Sequence, residues 1–245
     1  MEVVLPDSET FRITTEVLSV DALTDTITRL RLHRPQDYDY HAGQYINLYN
    51  PQGVGRNYSL ASMPILDPFL ELHVKLIPHG LISTWVHKDI KVGQEVTIGP
   101  AIGTNFYVGD KKDQPIILIG TSTGLAPLYG IVRDALHHGH SGEIKLYHGS
   151  GTNAGIYLMQ ELQQLDENHS NFEYYPCVSK ESPRCGAQAG RALDLALQHN
   201  KKLSGWRAFI CGDPDVVKAT SKALFLAGIS LQEIYLDPFL PSKPV

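Results

Sequence analysis

The pattern of the chain changes once, in the charged stretch GDKKDQ at 109–114, and that change bounds the folds open to it. Before it, FRITTEVLSV, ITRLRLHRP, GQYINLYNP, NYSLASMP, FLELHVKLIP and QEVTIGPAIG are short, partly alternating and rich in β-branched residues. Gly, Pro, Asn or Asp separates them, and such spacing predicts a closed antiparallel barrel. One helical stretch, GLISTWVHKDI, interrupts the strands. After the change, PIILIG is a continuous apolar run, as in a strand buried on both faces. Helices and strands then alternate: APLYGIVRDALHHG, EIKLYHG, GIYLMQELQQLDENH, FEYYPCVS, RALDLALQHN, RAFICG, PDVVKATSKALFLAG and EIYLDPF. That alternation predicts an α/β domain with a parallel sheet. The expected division is a barrel over 1–110 and an α/β domain over 111–245.

Composition narrows the function. The 245 residues are 42% hydrophobic, enough for two full cores. A net charge of -5, with no cluster of Lys and Arg, argues against a nucleic-acid partner. No apolar run approaches the ~20 residues of a membrane span. The start MEVVLPDSET lacks the basic and apolar segments of a signal peptide. Cys177, Cys185 and Cys211 have no C-x-x-C spacing, so neither a disulfide framework nor a zinc site is expected. A cytoplasmic protein is the expectation. The histidines of HHGH, 137–140, sit at a helix end, where they suit the dipole better than a metal.

In an open parallel sheet, ligands bind at the carboxyl ends of the strands. There GTSTGLAP follows the first apolar strand. Gly120 and Gly124 allow close backbone approach, Thr121, Ser122 and Thr123 add hydroxyls, and the helix beyond offers free N–H groups to a phosphate. A plain tight turn is the competing reading, and G-x-G-x-x-G is absent. Cys211 opens CGDP at the same sheet edge, where a structural cysteine is the simpler alternative. In the barrel half, HGLISTW places Gly80 before a helix start with Ser83 and Thr84 in its first turn. Ser83 as a plain N-cap competes with a phosphate role. GRNYSLAS sets Arg56, Tyr58 and Ser62 in a strand that structure alone would fill with Val, Ile or Thr.

R-x-Y-S, G-x-x-S, G-T-x-x-G-x-A-P and C-G-x-P occur here in that order. Over residues 10–240 the sequence resembles the ferredoxin–NADP reductase superfamily, flavoenzymes with an FAD-binding barrel and a nicotinamide-binding α/β domain. The resemblance implies an FAD-dependent NAD(P)H oxidoreductase. It assigns Arg56 to the FAD pyrophosphate, Tyr58 to the isoalloxazine and ribityl chain, and Ser59 to the neighbourhood of flavin N5. Asn57 lies in the same motif, and backbone amides around Leu60 are expected to help. Gly80, Leu81, Ile82 and Ser83 match the pyrophosphate loop, with His79 where a second Gly is common. His73, Val74 and Lys75 match the strand beside the ribityl and adenine part. On the nicotinamide side, Thr121, Ser122, Thr123 and Gly124 match the coenzyme loop, with Ser150 on the next loop. Cys211, Gly212, Asp213 and Pro214 match the turn beside the nicotinamide, Asp213 replacing a proline of C-G-P-P. The ending IYLDPFLPSKPV looks like that of bacterial oxygenase reductases and flavin reductases. It implies Phe239 bordering the flavin and Asp237 near the hydride path; a plain edge strand with a Pro-rich tail competes. Ser59, Cys211, Asp237 and Phe239 are the catalytic candidates.

The mechanism so implied is hydride transfer from nicotinamide C4 to flavin N5, positioned rather than performed by the protein. The loop 149–156 carries neither a cation for a 2′-phosphate nor a carboxylate for a 2′-hydroxyl, which favours NADH over NADPH modestly. Lys180 and Arg184, after the next strand, are the residues that would favour NADPH. Three acceptor schemes remain: electrons passed to a redox protein on another chain (a ferredoxin or oxygenase component), release of reduced free flavin, or a catalytically silent subunit. Arg56, Tyr58, Ser59, Gly124 and Cys211 weigh against the third.

Overall fold

The computed structural model describes residues 11–240. The chain forms two compact units, divided between Phe106 and Tyr107. The first contains β1 (Ile13–Thr24), β2 (Ile27–His33), β3 (Tyr45–Tyr49), β4 (Gly55–Ser59), β5 (Phe69–Lys75), α1 (Leu81–Lys88) and β6 (Glu95–Ile98). Its six strands run in the order β4-β3-β6-β1-β2-β5 with antiparallel pairing. A bridge between Leu60 and Leu72 joins the first strand of that order to the last and closes the barrel. Alternation then decides what lies inside. Leu70, Leu72 and Val74 of β5 join Leu30, Leu32, Ile46, Leu48 and Leu60 in one core, and α1 adds Ile82 and Val86.

The second unit contains β7 (Ile116–Thr121), α2 (Leu125–His137), β8 (Ile144–Ser150), α3 (Met159–Asn168), β9 (Phe172–Val178), β10 (Gln188–Ala189), α4 (Ala192–His199), β11 (Arg207–Gly212), α5 (Pro214–Leu226) and β12 (Ile234–Pro238). The sheet is parallel, in the order β10-β9-β8-β7-β11-β12. β7 has its sequence neighbour β8 on one side and the distant β11 on the other, so the winding reverses there. Ligand sites in such sheets lie at the carboxyl ends of the strands flanking that reversal. α2 closes at Gly139, whose φ of +70° a residue with a side chain adopts at a cost.

Two elements differ from the sequence expectation. The helix anticipated from Gly155 begins only at Met159, because 153–155 form a 3-10 turn and Leu158 is left-handed, with φ 54°. The two-residue β10, absent from the sequence reading, extends the sheet beside β9.

Arg207 is buried at the start of β11 and ties three segments together. Its Nε donates to Glu233 Oε2 at 2.9 Å, its Nη2 to Asp110 Oδ1 at 3.1 Å and its Nη1 to the carbonyl of Val108 at 3.0 Å. Lys111 Nζ adds a second cation on Glu233 at 2.8 Å. Among the described residues, no helix is long and apolar enough to cross a membrane.

Truncating a side chain at the barrel closure should be expensive. Leu72 is fully buried, and Leu72→Ala should destabilise the first unit by about 2–5 kcal/mol, read as a lower urea midpoint in its unfolding.

Candidate functional site

In the first unit the anion-binding features gather around β4 and α1. Tyr58 packs against the barrel core, and Arg56 shares its side of the strand. Burial pushes the Tyr58 hydroxyl far above its ordinary range, against the opposing pull of Arg56. Among the described residues Arg56 has no carboxylate partner; its guanidinium donates to the neighbouring Gly55 carbonyl at 2.7 Å. β4 runs antiparallel beside β5, so Arg56 lies toward the end of β5 that leads into the loop 77–80. That loop opens α1, whose first turn has neither a side-chain cap nor an acidic residue. Its N–H groups and positive dipole end therefore stay available to an anion. A Cβ on Gly80 would lie 2.5 Å from Ser83 Oγ, so the turn fits only glycine without adjustment. An unpaired cation and a bare helix N-terminus with a tight glycine turn fit a pyrophosphate.

Several expected contacts are spent on the fold instead. Leu60, Val74 and Ile82 are core residues, so their side chains cannot face a cofactor. The amides around Leu60 are taken: Leu60 N–H donates to Gln44 O at 2.7 Å and Ala61 N–H to Glu71 O at 2.8 Å. The Val74 carbonyl is held by His87 Nε2 at 2.9 Å. The Ser83 hydroxyl accepts from Ile77 N–H at 3.1 Å, which folds the loop onto the helix and occupies that oxygen. Leu81, Asn57 and Lys75 are exposed. Ser59 and His73 are buried on the other face of their strands, because Leu60 and Leu72 point inward between them.

In the second unit the parallel register places Gly120, Cys211 and Asp237 in one row across β7, β11 and β12. Small residues are required there. A Cβ on Gly124 would lie 2.4 Å from the Cys211 carbonyl oxygen, and one on Gly212 would lie 2.4 Å from Thr121 Oγ1. Gly212 also has φ +129°, open only to glycine without strain. The start of α2 thus packs directly on the end of β11, and α2 has no acidic residue in its first turn. Ser122 carries a left-handed backbone at φ 54° beside this crevice. Phe239 N–H donates to Gly212 O at 2.8 Å, which brings the end of β12 to the same edge. The close backbone packing and bare helix start suit a dinucleotide phosphate. Cys211 is buried. Asp213 has a structural task, since its Oδ1 accepts from Asp215 N–H at 3.0 Å and Val216 N–H at 3.3 Å, capping α5 ahead of Pro214.

The loop after β8 is not uncharged in space, as its sequence alone implied. Ser150 Oγ accepts from Thr152 N–H at 3.2 Å. Asn153 donates from its backbone and its side chain to Glu181 Oε2, at 3.0 and 3.1 Å, and its Oδ1 accepts from Arg184 N–H at 2.8 Å. Lys180 runs along Gly151. One carboxylate and two cations therefore flank the loop. The histidines of 137–140 diverge: His138 Nδ1 pairs with Asp134 Oδ1 at 3.2 Å, while His140 Nδ1 is 3.2 Å from Tyr107 Oη.

Sequence matches divide along the same lines. The model of the oxidoreductase FAD-binding domain matches residues 14–107, and that of the oxidoreductase NAD-binding domain matches 118–222. The reductase component of the naphthalene 1,2-dioxygenase system of Pseudomonas putida, named ferredoxin–NAD(P)+, is 31% identical over 92% of this chain and 68% of its own. The chain belongs to the ferredoxin–NADP reductase superfamily. Among its other relatives, the aromatic O-demethylase reductase subunit of Amycolatopsis is 33% identical over 94% of this chain and 70% of its own. The structure of an Amycolatopsis cytochrome P450 reductase superposes with a TM-score of 0.89 at 32% identity, over 94% of this chain and 70% of that one. A Neisseria gonorrhoeae ferredoxin NADP+ reductase with bound FAD and NADP shares the fold, with a TM-score of 0.82 at 21% identity, over 94% and 99% of the two chains. The chain is accordingly an FAD- and NAD-binding oxidoreductase.

One charged pair of this reductase escaped the sequence reading. Glu71 is buried, with His73 Nε2 at 3.0 Å from its Oε1 and Arg31 Nε at 2.7 Å from its Oε2. Burial alone would raise the Glu71 carboxyl, but the hydrogen bonds and charges of His73 and Arg31 outweigh it and hold the group at about 2, against an ordinary 4.5. A depressed native pKa stabilises the fold at pH values above the unfolded one. That contribution, about 3 kcal/mol, should be lost as pH falls from 4.5 through about 2. Urea midpoints across that range should fall steeply in the wild type and more shallowly in Glu71→Gln.

Proposed function

We propose that this chain is the reductase component of an oxygenase-type system, taking electrons from NADH and delivering them to a separate redox protein. The observation that carries the reading is the unpaired Arg56 beside the bare start of α1, an anion cradle that the fold itself does not use. Bound FAD supplies an acceptor for two electrons at once that can release them one at a time. Arg56 and the N–H groups opening α1 hold its pyrophosphate, and Tyr58 supplies an apolar wall. The loop from Gly120 to Gly124 and the turn from Cys211 to Pro214 hold the coenzyme, with Asp237 and Phe239 at the same edge. Relatives named as reductase components of dioxygenase, demethylase and monooxygenase systems support a protein acceptor over free flavin. A cytoplasmic setting, where cysteines such as Cys177, Cys185 and Cys211 stay reduced, fits the chain.

Purified protein should be yellow, with one FAD per chain, and should reduce ferricyanide with NADH. Arg56→Ala should weaken FAD binding by about tenfold or more, measured by fluorescence titration of the apoprotein, because a charge-assisted contact is lost. Retention of a colourless chain that ignores added FAD would refute the reading.

NADH should be preferred to NADPH by about tenfold in kcat/KM, since Glu181 opposes a 2′-phosphate while Lys180 and Arg184 limit the discrimination. Glu181→Gln keeps the acceptor for Asn153 and should narrow the preference, whereas Lys180→Ala should widen it. Steady-state kinetics with both coenzymes is the check, and a wild type that prefers NADPH refutes the assignment.

A further inference from the structure

The loop 61–68 between β4 and β5 is held more firmly than a connector needs, and it presents apolar side chains to solvent. Met63 N–H donates to Asp67 Oδ2 at 2.8 Å, and Asp67 N–H returns to the Met63 carbonyl at 2.9 Å. Tyr40 Oη donates to Ser62 Oγ at 2.9 Å, and the same oxygen accepts from Glu71 N–H at 3.1 Å. Arg34 Nη1 donates to the Pro64 carbonyl at 2.6 Å. Ser62, Met63 and Asp67 are buried, whereas Ile65 and Leu66 at the tip are 60% and 53% exposed. A connecting turn is ordinarily filled with Gly, Asn, Asp or Ser. Here two adjacent apolar side chains stand out on a stiff base, so covering them with a partner costs little backbone entropy.

The surroundings of the tip are cationic. Arg34 spends donors on the carbonyls of Tyr38 and Pro64 and lies 5.2 Å from the centre of the Tyr40 ring; among the described residues it has no carboxylate partner. Arg31 lies 4.4 Å over the Phe69 ring, where the chain leaves the loop, and shares its charge with Glu71. The loop's own acid, Asp67, is turned inward onto Met63 N–H. Asp37 and Asp39, on the stretch after Arg34, are exposed and pair with neither arginine. A rigid apolar knob beside guanidinium groups has the composition of an interface anchor, not of a solvated loop.

Resting on the reading of a protein acceptor above, we propose that the acceptor docks on the Ile65–Leu66 tip, and that it is a small redox protein with an apolar depression rimmed by carboxylates. Charge complementarity selects that occupant. A basic protein would set like charges against Arg34 and Arg31, whereas an acidic one is attracted. The chain as a whole carries a net charge of -5, so an acidic protein is drawn to local cations rather than to the molecule at large. The two arginines steer the encounter and the apolar pair holds it. The chain runs from β4, the R-x-Y-S strand, directly into this loop, and Leu60 at its start is bridged to Leu72 of β5. A protein seated on the tip therefore stands on the barrel unit itself, tied to the strand that carries Arg56 and Tyr58.

The test is calorimetric titration of the FAD-loaded full chain with an oxidised, acidic [2Fe–2S] ferredoxin as probe, at low and at physiological salt, with basic cytochrome c as the comparison. Wild type should bind the ferredoxin, less tightly as salt rises, and should bind it more tightly than cytochrome c. Ile65→Ser and Leu66→Ser combined should weaken ferredoxin binding by about tenfold or more, keep its salt dependence, and leave NADH-driven ferricyanide reduction unchanged. Arg34→Gln should weaken binding and flatten the salt dependence; should its loop lose shape, the exposed double variant carries the test alone. Four results each overturn this inference alone: unchanged ferredoxin affinity in the double variant, no ferredoxin binding by wild type, tighter binding of cytochrome c, or a wild-type dimer that the double variant dissociates. A wild type that takes up no FAD, or passes no electrons from NADH to ferricyanide, overturns the proposed function as well.

Discussion

Barrel closure rests on very little: the bridge between Leu60 and Leu72 and the Ala61 N–H to Glu71 O bond beside it, while the Leu60 N–H to Gln44 O bond ties the same stretch to β3. Everything in the first unit follows from where that seam falls. Because Leu60 and Leu72 face inward, Arg56 and Tyr58 take the core side of β4, and Ser59 takes the other side together with His73 and Glu71. A slip of one residue would exchange the faces, sending Ser59 into the core and Arg56 out of reach of the loop before α1. The amides that the motif suggests for a cofactor are consumed in holding this register, which is a reason the seam is stable enough to carry a site.

The second unit solves the same problem by close packing. Its strands are held in register by a parallel ladder, and the crevice at β7 and β11 is shaped by absent side chains. Gly120, Gly124 and Gly212 let the start of α2, the end of β11 and the Thr121 turn share one small space. Cys211 contributes its backbone carbonyl to that contact. The Asp213 carboxylate caps α5, so replacing a proline there exchanges a stiff turn for a hydrogen-bonded one.

Both fold halves were legible in the sequence because their periodicities differ: two in FLELHVK, continuous burial in PIILIG. The motif positions were legible along the chain but not across it. Matching R-x-Y-S and G-x-x-S marks which strand and loop matter, yet Val74, Leu60 and Ile82 face the core, and alternation with Leu70 and Leu72 was the signal that would have said so. The pairing of Glu71, His73 and Arg31 needed the fold, since it joins residues 40 apart through the β2–β5 register. Alternating charges in RLRLH and ELHVK look like a solvated face, yet Glu71 and His73 are buried. The late start of α3 was invisible for a similar reason. It follows the Asn153 contacts with Glu181 and Arg184, which no local propensity encodes.

Arg207 has a bearing on how the chain can be cut. Its three donors reach back to Val108 and Asp110 as well as forward to Glu233. The segment at 107–111 is therefore stapled to the coenzyme unit, and Tyr107 is anchored there as well, through His140. An isolated coenzyme unit must start at or before Tyr107. Beginning it at Lys111 would strip a buried guanidinium of two of its partners, a loss of the kind that unpaired interior charge makes severe. A protease that nicked between Asp110 and Lys111 would do more than sever a connector, because it would loosen the first strand-end of β11, from which the Cys211 edge is hung.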